Sequence, residues 1–331
     1  MGVGVETVRP TSPDVAAGRA GARIGARLRV IGAFAAIYII WGSTYLAVKA
    51  AVATIPPLTA AGVRFLAAGC LLYAWARARR IPPPTRQHWR TFAIVSAFMF
   101  VPPYAAVYWA ERTIPSGLAA VLAATLPLWM LIVEACLLRR YRMTWALGVA
   151  LAVGFVGVVV VSATSTAAPG PVAWLPAAAI VLGELSWAIG SVVATRRPLP
   201  ASPALAAAGE MLCGGTLLLV VAAATGEFRA VPHPSPGAIV AMLYLIGAGS
   251  LVAFTAYTWL LSRCSPVRLS SYTYVNPVVA LILGAGLGGE PLTPRTIAGT
   301  LLVLASVALI LRATRPPTLH AVERDRAERA A

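Results

Sequence analysis

Charge is scarce in this chain. Charged residues make up 11% of it, against about 25% in a soluble domain. Hydrophobic residues make up 59% and the mean hydropathy is +0.79. Those values exclude an ordinary soluble globule, and they exclude a disordered chain, which needs low hydrophobicity. Acidic residues are the scarcer sign, 11 against 27 basic. The two aspartates, Asp14 and Asp325, lie near the ends, and the three histidines, His88, His233 and His320, lie outside the apolar stretches. Cys70, Cys136, Cys213 and Cys264 form no close pair and no CxxC. With no HExxH motif, no paired aspartates and no P-loop, the sequence offers no metal-ligand set, no membrane-enzyme site and no ATP-driven pump. No cofactor is expected, and the chain is not expected to be an enzyme.

Long apolar runs are abundant. A helix crosses a bilayer with about 20 apolar residues, and ten such stretches lie at 30–53, 58–76, 91–110, 117–138, 145–163, 173–195, 204–225, 237–261, 269–288 and 296–311. Proline clusters punctuate them: Pro56 and Pro57, Pro82 to Pro84, Pro169 and Pro171, and Pro232, Pro234 and Pro236. Proline lacks the N–H that a continuing helix needs and disfavours helix in its predecessor. The prediction is an all-α integral membrane protein with ten transmembrane helices.

The net charge of +16 would suggest nucleic acid in a soluble protein. Its placement says otherwise. With both termini cytoplasmic, 22 of the 27 basic residues fall on the cytoplasmic side and only Arg112, Arg229 and Arg295 on the outer side. This is a positive-inside pattern, so the expected partner of the arginines is anionic lipid headgroup, with no nucleic acid. The first apolar run is too long for a signal peptide and no cleavage site follows it. All but one of the basic residues are arginine and alanine is abundant, a composition that points to GC-rich bacterial coding. The expected location is a bacterial cytoplasmic (inner) membrane.

The two halves can be superposed. Trp41 and Trp187, and Arg64 and Glu210, are each 146 positions apart; Trp109 and Trp259, and Pro127 and Pro277, are 150 apart. Five spans per unit is odd, so the second unit must lie upside down, an inverted repeat of the kind secondary transporters use. The segments are then a cytoplasmic basic tail 1–29, a first repeat 30–163, a periplasmic linker 164–172, a second repeat 173–312 and a cytoplasmic tail 313–331.

At these residues the sequence resembles the EamA-type transporters of the drug/metabolite transporter superfamily. Trp41-Gly42-Ser43, Pro56-Pro57 and Arg64-Phe65 are similar to the family's first unit. Asn276-Pro277-Val278-Val279-Ala280, Gly289-Glu290-Pro291-Leu292-Thr293 and Gly299 are similar to the close of its second. Leu138, Arg139 and Arg140 stand where the first unit would carry a Gly-Glu pair. The resemblance implies ten helices and export of small metabolites such as amino acids or amphipathic drug-like compounds.

Charge inside lipid is expensive and marks function by default. Glu184 stands mid-span among Val181, Leu182 and Leu185 with no basic residue within two turns, which makes it a candidate for proton or substrate binding. Lys49 reads as a group that snorkels to the outer surface or serves coupling. Arg64 reads as a partner for Glu290 or Glu111, Glu134 as a partner for Arg139 or Arg140, and Glu210 as a partner for Arg196 or Arg197. Any of Glu184, Glu210, Lys49, Arg64, Glu134 and Glu290 is a candidate for proton coupling or charge pairing. Aromatic and polar residues at similar depths, Trp41, Tyr45, Tyr104, Tyr108, Trp187, Tyr257, Tyr274 and Asn276, form with Glu184 a candidate substrate site, with Ser43, Thr44, Ser191 and Tyr272 nearby. Helix packing and interfacial belts also use such residues. Pro127 and Pro277 are expected to kink their helices. Gly284 and Gly288 form a GxxxG pair suited to close packing or a homodimer. A membrane-embedded enzyme or a non-transporting scaffold is the alternative class, and flux in sealed vesicles separates it.

Overall fold

The computed structural model describes residue 25 and residues 28–138, 144–162, 174–229, 233–264 and 266–313. Among these residues there is helix and turn but no strand. In chain order the helices are α1 (Leu28–Val52), α2 (Pro57–Ala78), α3 (Arg86–Ala110), α4 (Ser116–Leu137), α5 (Trp145–Ser162), α6 (Trp174–Ala194), α7 (Pro203–Ala224), α8 (Pro236–Leu261), α9 (Val275–Gly286) and α10 (Pro294–Ala313). Seven of them, α1 to α4 and α6 to α8, are long and apolar enough to cross a membrane, and α5 and α10 are shorter apolar helices. Large apolar side chains, among them Leu71, Val159, Val240 and Leu301, are exposed on the outside of the bundle, as lipid contact requires.

One end of the bundle, here the Lys49 end, carries the close of α1, the start of α2 and the start of α4. The opposite end carries Arg77, Arg86, Arg196 and Arg263. Local sequence explains most helix starts. Ser202 and Ser235 accept hydrogen bonds from Leu205 N and Ala238 N, each with a proline following at the first helical position. Thr85 and His88 form a reciprocal capping box on α3.

Two helices interrupt themselves near the predicted prolines. The helix of α4 breaks at Ala124 and Thr125, just before Pro127. The ninth apolar stretch, expected as one span, is divided. A single turn, Pro266–Leu269, and a 3₁₀ segment, Ser270–Tyr274, lead into α9, where Pro277 sits. Each proline removes a backbone donor. The threonine hydroxyls nearby turn to carbonyls, Thr125 Oγ1 to Leu122 O and Thr273 Oγ1 to Ser270 O, both at 2.8 Å.

The most extensive helix pairings are α2 with α7 and α5 with α10; α3 lies on α6, α1 on α8 and α9, and α4 on α9 and α6. Glycine permits the α2–α7 approach. A Cβ on Gly69 would lie 2.8 Å from Leu212 N and 3.2 Å from Ala208 O; one on Gly215 would lie 2.5 Å from Leu66 N and 3.0 Å from Gly62 O. Any larger residue would push the backbones apart. Gly284 and Gly288 face neighbours within the chain, the Glu290 carboxylate and Leu46, so this pair serves internal packing.

Candidate functional site

A cavity of about 560 Å³, its mouth included, lies among α1, α2, α3, α6 and α9. Trp41, Thr44, Tyr45 and Val48 line it from α1, Arg64 from α2, Pro103, Tyr104, Val107 and Tyr108 from α3, and Glu184 and Trp187 from α6. Tyr272 and Asn276 complete it. The α1 and α3 sets repeat at three and four residues, one face of each helix. Thr44 to Val48 and Arg64 place the cavity in the half of the bundle toward the Lys49 end.

Aromatic rings wall the cavity's deeper side. Trp41 meets Trp187 edge to face with centroids 6.0 Å apart, and Tyr257 and Tyr272 at 5.2 and 4.9 Å. Trp187 donates to the Tyr257 hydroxyl at 3.2 Å, and Ser191 shares a hydrogen bond with the same hydroxyl at 2.8 Å. Trp41 and its acceptor both sit in π-helical turns, Ile37–Trp41 and Leu245–Phe254, and the indole donates to Gly249 O at 3.1 Å. Such turns release carbonyls from the regular ladder and recur at functional sites. With its amide oriented to satisfy both groups, Asn276 donates to Tyr272 O and Tyr38 O at 3.1 and 3.0 Å.

Arg64 is buried, yet among the described residues it pairs with no carboxylate. Nε donates to Ser250 Oγ at 2.9 Å and one terminal nitrogen to the Tyr108 hydroxyl at 3.1 Å. The guanidinium also lies over the Phe65 and Tyr104 rings, 4.7 and 5.6 Å from their centroids. The expected pairing of Arg64 with Glu290 or Glu111 is therefore not what the fold builds. Hydroxyls and ring faces, which carry no net charge, hold the arginine and leave its positive charge uncancelled.

Glu184 is buried and lines the same cavity, and among the described residues no hydrogen bond or ion pair reaches its carboxylate. The cavity therefore holds one guanidinium, one free carboxylate and a majority of aromatic and apolar wall. That composition suits a small amphipathic molecule with a polar head.

A second cluster closes the Lys49 end. Lys49 Nζ donates to Ile114 O at 2.7 Å and stands 3.6 Å from Glu290 Oε1. Glu290 accepts from Ser116 N at 2.7 Å, Ser116 Oγ at 3.0 Å and Gly117 N at 3.1 Å, capping α4. Glu227 does the same for α2, accepting from Leu58 N, Thr59 N and Thr59 Oγ1 at 3.1, 2.8 and 3.0 Å. Both helices have proline at the N-cap, Pro56 and Pro115, with no side-chain oxygen to offer. The cap has to come from a distant segment. Glu111, beyond the end of α3, is buried, and among the described residues neither carboxylate oxygen has a hydrogen-bond partner. Burial pushes its pKa well above the ordinary carboxylate range, against the pull of Lys49, and Glu290 adds to the rise.

Seven of the nine residues named from the sequence as a substrate site line the cavity. Tyr257 lies behind its aromatic wall, and Tyr274 does not line it. Ser43 turns away and bonds to the Tyr244 hydroxyl at 2.5 Å. Val48, Pro103 and Val107 also line the cavity, and as apolar residues within apolar helices nothing but their spacing from Tyr45, Tyr104 and Tyr108 marks them. Glu227 was missed, and a proline at an N-cap is the clue that would have found it. Glu210 is buried on α7, with no hydrogen bond or salt bridge to Arg196 or Arg197, which are exposed. The expected pairing fails because the two arginines lie beyond the end of α6, in contact with solvent. Glu134 is buried on α4, and its expected partners Arg139 and Arg140 fall outside the described residues.

Comparison with known proteins gives concordant results. The profile of the EamA-like transporter family matches residues 28–163 and again residues 174–312. The protein named "Uncharacterized inner membrane transporter YedA" of Escherichia coli (strain K12) is 38% identical over 268 residues, 80% of this chain and 85% of that one. "Uncharacterized transporter YvbV" of Bacillus subtilis (strain 168) is 26% identical over 288 residues, 83% and 88% of the two chains. One solved crystal structure shares the fold with TM-score 0.63 at 20% identity, covering 87% of this chain and 99% of its own.

Proposed function

Because the chain belongs to the EamA-like transporter family, we propose that it is a secondary transporter that exports small metabolites, such as amino acids or amphipathic drug-like compounds, from a bacterial cell. The observation that carries this reading is the cavity between helices of both halves, where a free Glu184 carboxylate and the Arg64 guanidinium sit within an aromatic wall. The two charges offer contacts to the amine and the carboxylate of a zwitterion, and the rings take an apolar body.

The proposed mechanism is alternating access between two inverted five-helix repeats, 30–163 and 173–312, with the substrate near the midplane. Reciprocal packing supports it. Shifting Gly69 and Leu212 by 146 positions, one forward and one back, yields Gly215 and Leu66, and both pairs make the same backbone approach. Gly157 against Val303 N and Gly299 against Val161 N, each at 2.9 Å, exchange in the same way with a shift of 142. Two like units related by a two-fold axis in the membrane plane would pack so.

The arginine bias supports an inner-membrane protein with both termini in the cytoplasm and with anionic headgroups against the exposed Arg77, Arg79 and Arg80. Glu184 is proposed to exchange a proton against substrate. The test is flux in proteoliposomes with a panel of amino acids and amphipathic drugs, with and without a pH gradient. Flux of a panel member that responds to the gradient is the expected result. No flux of any kind would overturn the transporter reading in favour of a scaffold or an enzyme, and flux indifferent to the gradient would remove the proton.

A further inference from the structure

The cavity occupies one half of the bundle, and the repeat says what should occupy the other. Within α2 and α7 the shift of 146 is fixed by geometry as well as by sequence, through the reciprocal approaches of Gly69 to Leu212 and Gly215 to Leu66. The same shift carries Arg64 to Glu210 and Tyr45 to Ser191. The shift of 150 that joins Trp109 to Trp259 carries Tyr108 to Thr258, Val107 to Tyr257 and Tyr104 to Phe254. Where Arg64, Tyr45 and Tyr108 border open space, their counterparts Glu210, Ser191 and Thr258 are buried and packed. The Tyr257 hydroxyl is tied to Trp187 and Ser191, so this side is closed by contacts that separation of α6 from α8 would break.

We infer that a second cavity, closed in this conformation, lies around Glu210 and opens toward the opposite end of the bundle in the other access state. Its chemistry inverts that of the first. A path lined at one end by a guanidinium is lined at the other by a carboxylate, and the group it takes is a protonated amine. Opening wets Glu210, and a hydrated carboxylate is ionised at neutral pH. A cation entering from the Glu210 side meets attraction there and then Glu184, while the Arg64 charge, which no carboxylate among the described residues pairs with, repels it at the far end. The inference rests on the two-repeat reading above and adds a site and a charge to it.

The experiment uses full-length protein in sealed liposomes, with Cys70, Cys136, Cys213 and Cys264 replaced by serine. Single cysteines are introduced as Thr44→Cys beside the first cavity and Thr258→Cys beside the second, with Ser191→Cys as the alternative if Thr258→Cys does not fold. The probes are a cationic and an anionic methanethiosulfonate of similar size, each applied from one side at a time. Labelling of the two positions from opposite sides is expected. The cationic reagent should react about tenfold faster than the anionic one at Thr258→Cys, with the reverse preference at Thr44→Cys. Glu210→Gln should erase the first preference alone and Arg64→Gln the second alone. Thr258→Cys and Ser191→Cys that stay unlabelled, or that label from the Thr44 side, overturn the inference in a protein that carries flux. So does a preference at Thr258→Cys unchanged by Glu210→Gln. Opposite-sided labelling in a protein without flux would uphold the second cavity while sinking the transporter reading.

Discussion

The Lys49 ammonium stands 3.6 Å from Glu290 Oε1, and the same carboxylate caps the first turn of α4. One glutamate thus joins α1, the start of α4 and the connection between α9 and α10. It takes three hydrogen bonds from α4, and hydrogen bonds to a charged group are each worth about 1.5–3 kcal/mol. The sum is an upper bound, since N–H groups freed at a helix end can turn to water; on the scale of an N-cap, Glu290→Ala should cost about 2 kcal/mol of stability, and Glu290→Gln clearly less, since one acceptor remains. Thermal unfolding of purified protein in detergent checks this; equal midpoints for both variants and the parent would reject the cap.

Glu227 is a cleaner case, because it holds the start of α2 with no lysine involved. Glu227→Ala should lower stability by about 1–2 kcal/mol, the ordinary worth of an N-cap. The substrate profile should stay the same, since Glu227 does not line the cavity. A variant that changes selectivity without changing its unfolding midpoint would contradict that assignment.

At Glu184 the expected outcome is functional. Glu184→Gln keeps the shape and removes the charge and the exchangeable proton. The protein should insert and fold as the parent does while transport is lost or no longer follows the pH gradient. Flux with parental pH dependence would take Glu184 out of the mechanism.

Gly249 gives a test of how Arg64 is held. A Cβ there would lie 2.7 Å from an Arg64 terminal nitrogen and 3.0 Å from Thr44 Cγ2. Gly249→Ala must move the guanidinium tip, a shift that a flexible side chain makes at little cost in stability. Flux should fall about tenfold or more, mostly through weaker binding of substrate. Unchanged flux and unchanged apparent affinity would mean the position of Arg64 does not matter.

Glu111 supplies a pH dependence. Its carboxyl is held above the ordinary range by burial. The folded protein therefore keeps a proton that the unfolded chain has already released, from about pH 4.3 upward. Stability must fall as pH rises through that window. Glu111→Gln removes the loss, so the variant should gain on the parent as pH rises above about 4.3. Parallel unfolding midpoints across that range would show that Glu111 does not hold the proton.

Much of the site could be read in advance, and its limits have physical causes. Trp41, Tyr45, Tyr104, Tyr108, Glu184 and Trp187 stood out because polar and aromatic side chains at membrane depth are unusual, and the cavity is built from them. Tyr257 stood out for the same reason, yet it is spent on the wall behind, bonded to Trp187 and Ser191. Depth along a helix is written in the sequence; the rotation of that helix toward a cavity or a neighbour is set by packing. Val48 and Val107 are not legible in the sequence because apolar residues within apolar helices carry no contrast.

The placement of the seven long apolar helices was decided by the sequence alone, whereas the division of the ninth apolar stretch was not. A bilayer demands local satisfaction of every backbone group and about 20 apolar residues per crossing, so each helix advertises itself within its own segment. Which charges meet was left to the tertiary structure. Lys49 and Glu290 are joined across most of the chain, Arg64 finds hydroxyls and rings instead of a carboxylate, and Glu227 caps a helix that begins at Pro57. Those partners depend on distances between segments that the chain order does not encode, and a difference of a few ångströms decides between an ion pair and an uncancelled charge in the cavity.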